Sequence, residues 1–199
     1  MHDHPFPRRR RLVLALVGMW AVASPSTRAG ANASANAPPT GWVRPRLAAP
    51  ALRITSANGR PTTLAGAIAG KVTAVQLMFT GCSSTCPVQG ALFAAMASRL
   101  ESKDVQFLSI SIDALGDTPA ALSAWQDRFG RAPAWNTAVA HSADVGPLAD
   151  FMKGVAGKPG THTAQVFVFD RASRLCYRTG DSPLIGDIEA LLSHEAQRS

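Results

Sequence analysis

From Lys71 to Phe79 the chain reads KVTAVQLMF, and the residues that follow, TGCSSTCP, form a polar loop carrying two cysteines ahead of Pro87. An uninterrupted apolar run rich in β-branched residues suits a strand covered on both faces, and such strands lie inside sheets flanked by helices. Proline needs no amide donor in a first helical turn, so the loop leads straight into a helix. This strand–loop–helix step constrains the fold more than any other stretch.

The same alternation continues downstream. VQFLSISID (105–113) reads as a strand, and Thr118 and Pro119 fit the N-cap and first helical position of AALSAWQDRF. TAVAH is a short strand, and SADVGPLADFMKGV is a short helix interrupted at Gly146-Pro147. AQVFVFD and RLCYRTG pair around a turn at Arg171–Ser173, and PLIGDIEALLSHEAQ closes the chain as a helix. Upstream, Asn58-Gly59 sits between two short extended pieces, a strong hairpin signal. Val88, Leu92, Met96 and Leu100 recur every four residues and are expected to form the buried face of the helix after the cysteines. The order β-β-β-α-β-α-β-α-β-β-α predicts an α/β fold: a central mixed sheet with helices on both faces and an N-terminal β-hairpin. In such sheets the site lies beyond the carboxyl ends of the strands, where the Cys82–Cys86 loop falls.

A chain of 199 residues suffices for one domain. Its formal charge of +7 suggests nucleic acid, but five arginines (Arg8, Arg9, Arg10, Arg11, Arg28) and one acid fall in the first 28 residues. The 15 basic and 12 acidic residues that remain leave +3, scattered without a phosphate-binding stripe. Nucleic acid is not expected as a partner. The arginine block precedes the 12-residue apolar run LVLALVGMWAVA, followed by small residues at Ala29-Gly30-Ala31 and Ala33-Ser34-Ala35. Charged start, short apolar run and small-residue exit predict a secretory signal over residues 1–31, and roughly 20 residues would be needed to span a bilayer. The alternative is a short N-terminal anchor. Residues 32–41 read as a flexible linker and 42–199 as the folded domain. The protein is expected to be exported, to the periplasm, free or tethered to the cytoplasmic membrane. Outside the cytosol a cysteine pair can be oxidised and stay so.

Cys82 and Cys86 therefore form the candidate site. A helix amino terminus favours thiolate over thiol, and thiolate is both the nucleophile of disulfide exchange and a soft ligand for copper(I). Position alone leaves both chemistries open. Three intervening residues differ from the two of thioredoxin-type pairs, and a structural zinc site would need two more ligands. Cys176 lies in the last strand, expected opposite Val168 and roughly 20 Å from the sheet end at about 3.3 Å per residue, so it reads as a core or edge thiol. Among the histidines, His2 and His4 precede the signal, His194 is expected in solvent, and His141 reads as a surface or capping residue. His162, in GKPGTHT just before AQVFVFD, can approach the cysteine loop.

Three segments resemble the Sco/SenC family, thioredoxin-fold copper proteins that help assemble cytochrome c oxidase. FTGCSSTCP is similar to the family's F-T-x-C-x-x-x-C-P copper motif. SISIDALGDTPAAL resembles its S-x-D-P-x-x-D-T-P-x-x-L segment at Asp113, Asp117, Thr118 and Pro119, with Ala114 in place of the usual proline. HTAQVFVFD resembles the family's histidine segment, with Gly160-Thr161 where an acidic residue often precedes the histidine. The resemblance spans about residues 45–195. It implies a thioredoxin-like fold and one copper per chain, as copper(I) or copper(II), bound by Cys82, Cys86 and His162. It also implies a metallochaperone role toward the CuA-bearing subunit of cytochrome c oxidase or another copper-requiring client, with other copper chaperones as further partners. Cys82 and Cys86 would double as a redox-active pair that reduces the client's cysteines. The rival readings are an exported thiol–disulfide oxidoreductase without a metal and a thiol peroxidase. The first wants a two-residue spacer and a cis-proline before the penultimate strand, where Thr161-His162 stands; the second wants an arginine near the thiol, and none is close in sequence.

Overall fold

The computed structural model describes residues 39–100, 104–153 and 163–198, all within one compact unit, Asn36–Ser199. The expected signal over 1–31, most of the expected linker over 32–41, and His162 lie outside the described residues. In chain order the elements are β1 (Gly41–Ala48), β2 (Arg53–Ser56), β3 (Pro61–Thr63), α1 (Leu64–Ile68), β4 (Val72–Met78), α2 (Thr85–Arg99), β5 (Val105–Ser111), α3 (Pro119–Asp127), β6 (Trp135–Ala140), a 3-10 turn (Ser142–Asp144), α4 (Val145–Met152), β7 (Phe167–Phe169), β8 (Arg174–Arg178) and α5 (Ile185–Gln197). The described strands form one mixed sheet in the order β1-β8-β7-β4-β5-β6-β2-β3.

The expected hairpin is β2–β3, with Ile54 opposite Thr62 and Gly59 at a φ of +78° in the turn. Thr118 caps α3 by accepting the Ala121 amide at 3.1 Å, and Pro119 occupies the first helical position. Two elements escaped the sequence pattern. β1 is an edge strand interrupted by Pro45, and proline masks strand signals while being tolerated at an edge. α1 has only five residues, started by Thr63, whose hydroxyl accepts the Gly66 amide.

β4 runs parallel to β5 and β5 to β6, whereas β7 is antiparallel to β4 and β8 to β7. The carboxyl ends of β4, β5, β6 and β8, and the amino end of β7, therefore share one edge. Successive β4 side chains alternate between two cores. Val72, Ala74 and Met78 pack with Cys86, Phe93, Trp125 and Ile188 beneath α2, α3 and α5. Val75 and Leu77 pack with Leu64, Ile68, Leu148 and Met152 on the α1 and α4 side.

The buried face of α2 differs from the expected one. Val88 is 68% exposed, and the seam against the sheet is Cys86, Gln89, Gly90, Phe93, Ala94, Met96 and Ala97. A four-residue repeat drifts around a helix of 3.6 residues per turn, and the true seam is built largely from small residues that carry little hydropathy signal. Gly90 shows why small residues are needed: a Cβ there would lie 2.7 Å from Phe129 Cε2 and 2.9 Å from Trp125 Cη2. Gly90→Ala is expected to destabilise the fold by about 1–3 kcal/mol through overpacking, read as a lower midpoint in urea.

Candidate metal centre

The thiol pair sits where β4 hands over to α2. The Cys82 amide donates to the Phe79 carbonyl at 3.1 Å, folding the chain into a tight turn as it leaves the sheet. Ser84 is the N-cap residue of α2, yet its side chain makes no capping bond. The sulfur of Cys82 takes that role, accepting the Cys86 amide at 3.5 Å, with the Ser84 and Thr85 hydroxyls 3.7 and 3.8 Å away. One of the helix's orphan amides is thus directed at a cysteine sulfur. No disulfide joins the two cysteines; Cys82 is 8% exposed and Cys86 fully buried.

Burial decides the protonation of Cys86. The helix amino terminus was expected to favour thiolate, but desolvation, followed by the neighbouring Cys82, pushes the Cys86 thiol up to about 12. Cys176, also desolvated and close to Glu195, is pushed up to about 12 as well. Both values lie above the ordinary 9.0, so each thiol's contribution is fully present below pH 9 and is lost as pH rises toward 12. Unfolding midpoints should fall steeply between pH 9 and 12, and less steeply in Cys176→Ala.

A carboxylate pins the loop from below. Asp117, 6% exposed, accepts the Thr80 amide at 2.9 Å and both the Thr80 and Ser111 hydroxyls. Thr80 lies two residues before Cys82, Ser111 ends β5, and Thr118 caps α3, so one side chain ties the cysteine loop to the next strand and helix. Its own turn is set by Asp113, whose carbonyl accepts the Asp117 amide at 2.9 Å and whose carboxylate accepts the Gly116 amide at 2.9 Å.

The remaining candidates separate clearly. Cys176 is fully buried under α5, its thiol donating to the Val168 carbonyl at 3.1 Å. Tyr177, not Cys176, is the register partner of Val168, because a bulge between Val168 and Phe169 inserts one residue. His141 is exposed beyond β6 and makes no side-chain cap bond. His194 is exposed on α5, as expected, with the edge of its ring against Trp42 at 5.8 Å between centroids. Among the described residues no three His, Cys, Asp or Glu side chains are placed to hold a metal ion together. The flanks of the His162 segment are both tied to β8 or the turn after it. Arg178 donates to the Met152 and Phe151 carbonyls at 2.9 and 3.3 Å, and Asp181 accepts the Ala164 amide at 2.8 Å.

The SCO1/SenC family model matches residues 46–137, a span that holds Cys82, Cys86, Asp113 and Asp117. Residues 46–137 are therefore similar to the SCO1/SenC family. The matched span ends before His162. Among solved structures, a SCO1/SenC family lipoprotein from Bacillus anthracis is 23% identical, with a TM-score of 0.63 over 77% of this chain and 99% of that one. ScoI of Bradyrhizobium japonicum with copper bound is 21% identical, with a TM-score of 0.62 over 74% of this chain and 99% of its own. BsSco, a member of the Sco family of cytochrome c oxidase assembly proteins described with a disulfide switch, is 18% identical, with a TM-score of 0.67 over 77% of this chain and 96% of its own. These likenesses establish the thioredoxin-like Sco fold. No curated protein matches the chain.

Proposed function

We propose that this domain binds one copper ion through Cys82, Cys86 and His162 and passes it to a copper-requiring client during assembly of cytochrome c oxidase, at the CuA centre. The observation that carries the reading is the thiol pair itself: two cysteines four residues apart without a disulfide between them, one in the loop and one in the first turn of α2, the amide of the second donating to the sulfur of the first, inside a SCO1/SenC match. Two adjacent soft sulfurs suit copper(I), and an added imidazole extends the site to copper(II). In the described residues two of the three donors already lie side by side, and both ends of the segment carrying the third are anchored. The copper-bound relative supports the choice of metal.

Binding the cation displaces thiol protons, so apparent copper(I) affinity should rise with pH. Because Cys86 stays protonated up to about pH 12, its proton alone should contribute close to tenfold per pH unit between pH 6 and 9. Titration against a competing chelator at fixed free copper(I) checks this slope. Oxidation of the pair removes two protons and two electrons, makes one S–S bond, and withdraws both sulfur ligands. With a client disulfide as the electron acceptor, the same exchange yields a client dithiol and the Cys82–Cys86 disulfide. The redox state of the pair would then gate copper transfer.

We further propose that the chain is exported and acts outside the cytoplasmic membrane. Among the described residues no helix is long and apolar enough to cross a membrane. Amino-terminal sequencing of the exported protein should give a start between about residues 30 and 38; an intact Met1 in a soluble cytosolic fraction would contradict export. The function itself is tested by anaerobic addition of copper(I) to the reduced protein, followed by metal analysis, with one copper per chain expected.

A further inference from the structure

Apolar side chains are spread unevenly over the surface. Among the described residues five large ones are exposed: Trp42, Leu47, Val88, Leu115 and Leu184. Scattered singly such residues need no explanation, but four of these five stand at the sheet edge that carries the thiol pair. Leu115 follows β5, Val88 lies in the first turn of α2, and Leu184 follows β8. Trp42, the register partner of Tyr177, borders the carboxyl end of β8. Leu115 is the most exposed of the five, at 94%. A leucine so placed contributes no burial to the fold.

The Leu115 turn is fastened to the thiol loop. The Asp117 amide donates to the Asp113 carbonyl and the Gly116 amide to the Asp113 carboxylate, both at 2.9 Å, which closes a tight turn around Leu115. A Cβ at Gly116 would collide with the Asp113 carboxylate, so the turn depends on that glycine. Through its carboxylate Asp117 then holds Thr80, two residues before Cys82. Charge supplies a second observation. In the described loops 79–84, 112–118 and 179–184, and in the first turns of α2 and α5, every charged side chain is acidic: Asp113, Asp117, Asp181 and Asp187. Asp117 is buried in its clamp, Asp113 is half-buried, and Asp181 and Asp187 are exposed. Farther along the edge, past β6, Asp144 is paired with Arg53.

We propose that this edge is the docking surface for the protein that takes the copper, with Leu115 as its apolar anchor, and that the partner's face is apolar at its centre and basic at its rim. This rests on the copper-delivery reading above, because transfer between sulfurs brings the partner onto Cys82 and hence onto this edge. Docking removes Leu115, Val88 and Leu184 from water, while the carboxylates around them attract a basic partner and repel an acidic one.

The test titrates the metal-free, reduced protein, labelled with nitrogen-15, with the metal-free soluble CuA-bearing domain of its own host's oxidase. Wild type is compared with Leu115→Ser, Leu184→Ser and Leu47→Ser. Leu47, opposite Leu175 on β1 and away from the loops, is the control. The amide signals of Val88, Leu115 and Leu184 should shift, and association should weaken as salt is raised. Leu115→Ser should associate about tenfold more weakly, Leu184→Ser should also lose affinity, and Leu47→Ser should match wild type. Copper(I) binding by Leu115→Ser, read by chelator competition, should equal that of wild type. Association that Leu115→Ser leaves untouched, or that shifts signals on another face, overturns the proposal, as does a wild type that does not associate at all. A dimer of wild type alone that Leu115→Ser dissociates would assign the edge to a second copy and overturn it too. Docking at this edge without copper transfer would keep the surface and remove the delivery reading instead.

Discussion

Cys82→Ser or Cys86→Ser should each abolish tight copper(I) binding, a loss of several orders of magnitude. A serine hydroxyl is a hard, neutral oxygen donor, whereas copper(I) selects soft thiolate sulfur. One remaining thiolate with one imidazole cannot replace the pair. The two variants should differ in the metal-free state. Cys82→Ser keeps a polar acceptor near the Cys86 amide, so the start of α2 is preserved. Cys86→Ser places a hydroxyl where a fully buried sulfur packs in the core, and should lower the thermal midpoint more. Cys176→Ser should leave stoichiometry at the wild-type value, because that thiol is buried under α5 against the Val168 carbonyl. Chelator competition on the three variants, with thermal melts alongside, separates loss of ligand from loss of fold. Loss of copper from Cys176→Ser would replace the present site with a three-sulfur one.

Asp117→Ala is expected to have the second-largest effect, about 3 kcal/mol in folding stability together with weakened copper binding. The carboxylate accepts the Thr80 amide and two hydroxyls in a buried setting, and hydrogen bonds to a charged group are worth about 1.5–3 kcal/mol each before the freed donors relax. Removing it leaves the Thr80 amide and the Ser111 hydroxyl without their acceptor, and frees the residue two before Cys82. Asp117→Asn keeps the shape and one carbonyl acceptor, and should recover part of both losses. Denaturant melts read the stability, and chelator competition reads the site. Copper affinity unchanged in a variant destabilised by this amount would show that the clamp serves the fold alone.

The layered α/β architecture was legible because the buried strands announce themselves. VTAVQLM and VQFLSIS carry almost uninterrupted burial, and proline in the first turn of α2 (Pro87) and the capped Thr118-Pro119 start of α3 mark the helices that follow them. β1 and α1 were not, since one contains a proline at an edge and the other is barely a turn longer than its own cap. In the site, the cysteine spacing pointed to the right loop, but the protonation of Cys86 depends on desolvation, a property of the packed core and not of position along a helix. The burial of Gln89 was hidden for a related reason: Val88 looks like the seam residue, and only the packing of Gly90 against Trp125 and Phe129 rotates the helix so that its polar neighbour faces inward. The Asp117 clamp had a signal, the Asp-Thr-Pro run before α3, but nothing in the chain order says that its carboxylate reaches back to Thr80.

Copper delivery and pure disulfide exchange both need Cys82 and Cys86, so the measurement that separates them is made on His162→Ala. Exchange requires an attacking thiolate, a leaving thiolate and access, and none of these comes from the imidazole. Purified His162→Ala should retain most dithiol–disulfide exchange with a small-molecule disulfide and bind copper(I) with reduced affinity. It should not hold copper(II), and in copper-limited cells it should fail to support cytochrome oxidase activity, with partial rescue by added copper. Normal oxidase activity from His162→Ala under copper limitation would contradict the account and leave thiol chemistry without a metal as the function of the pair.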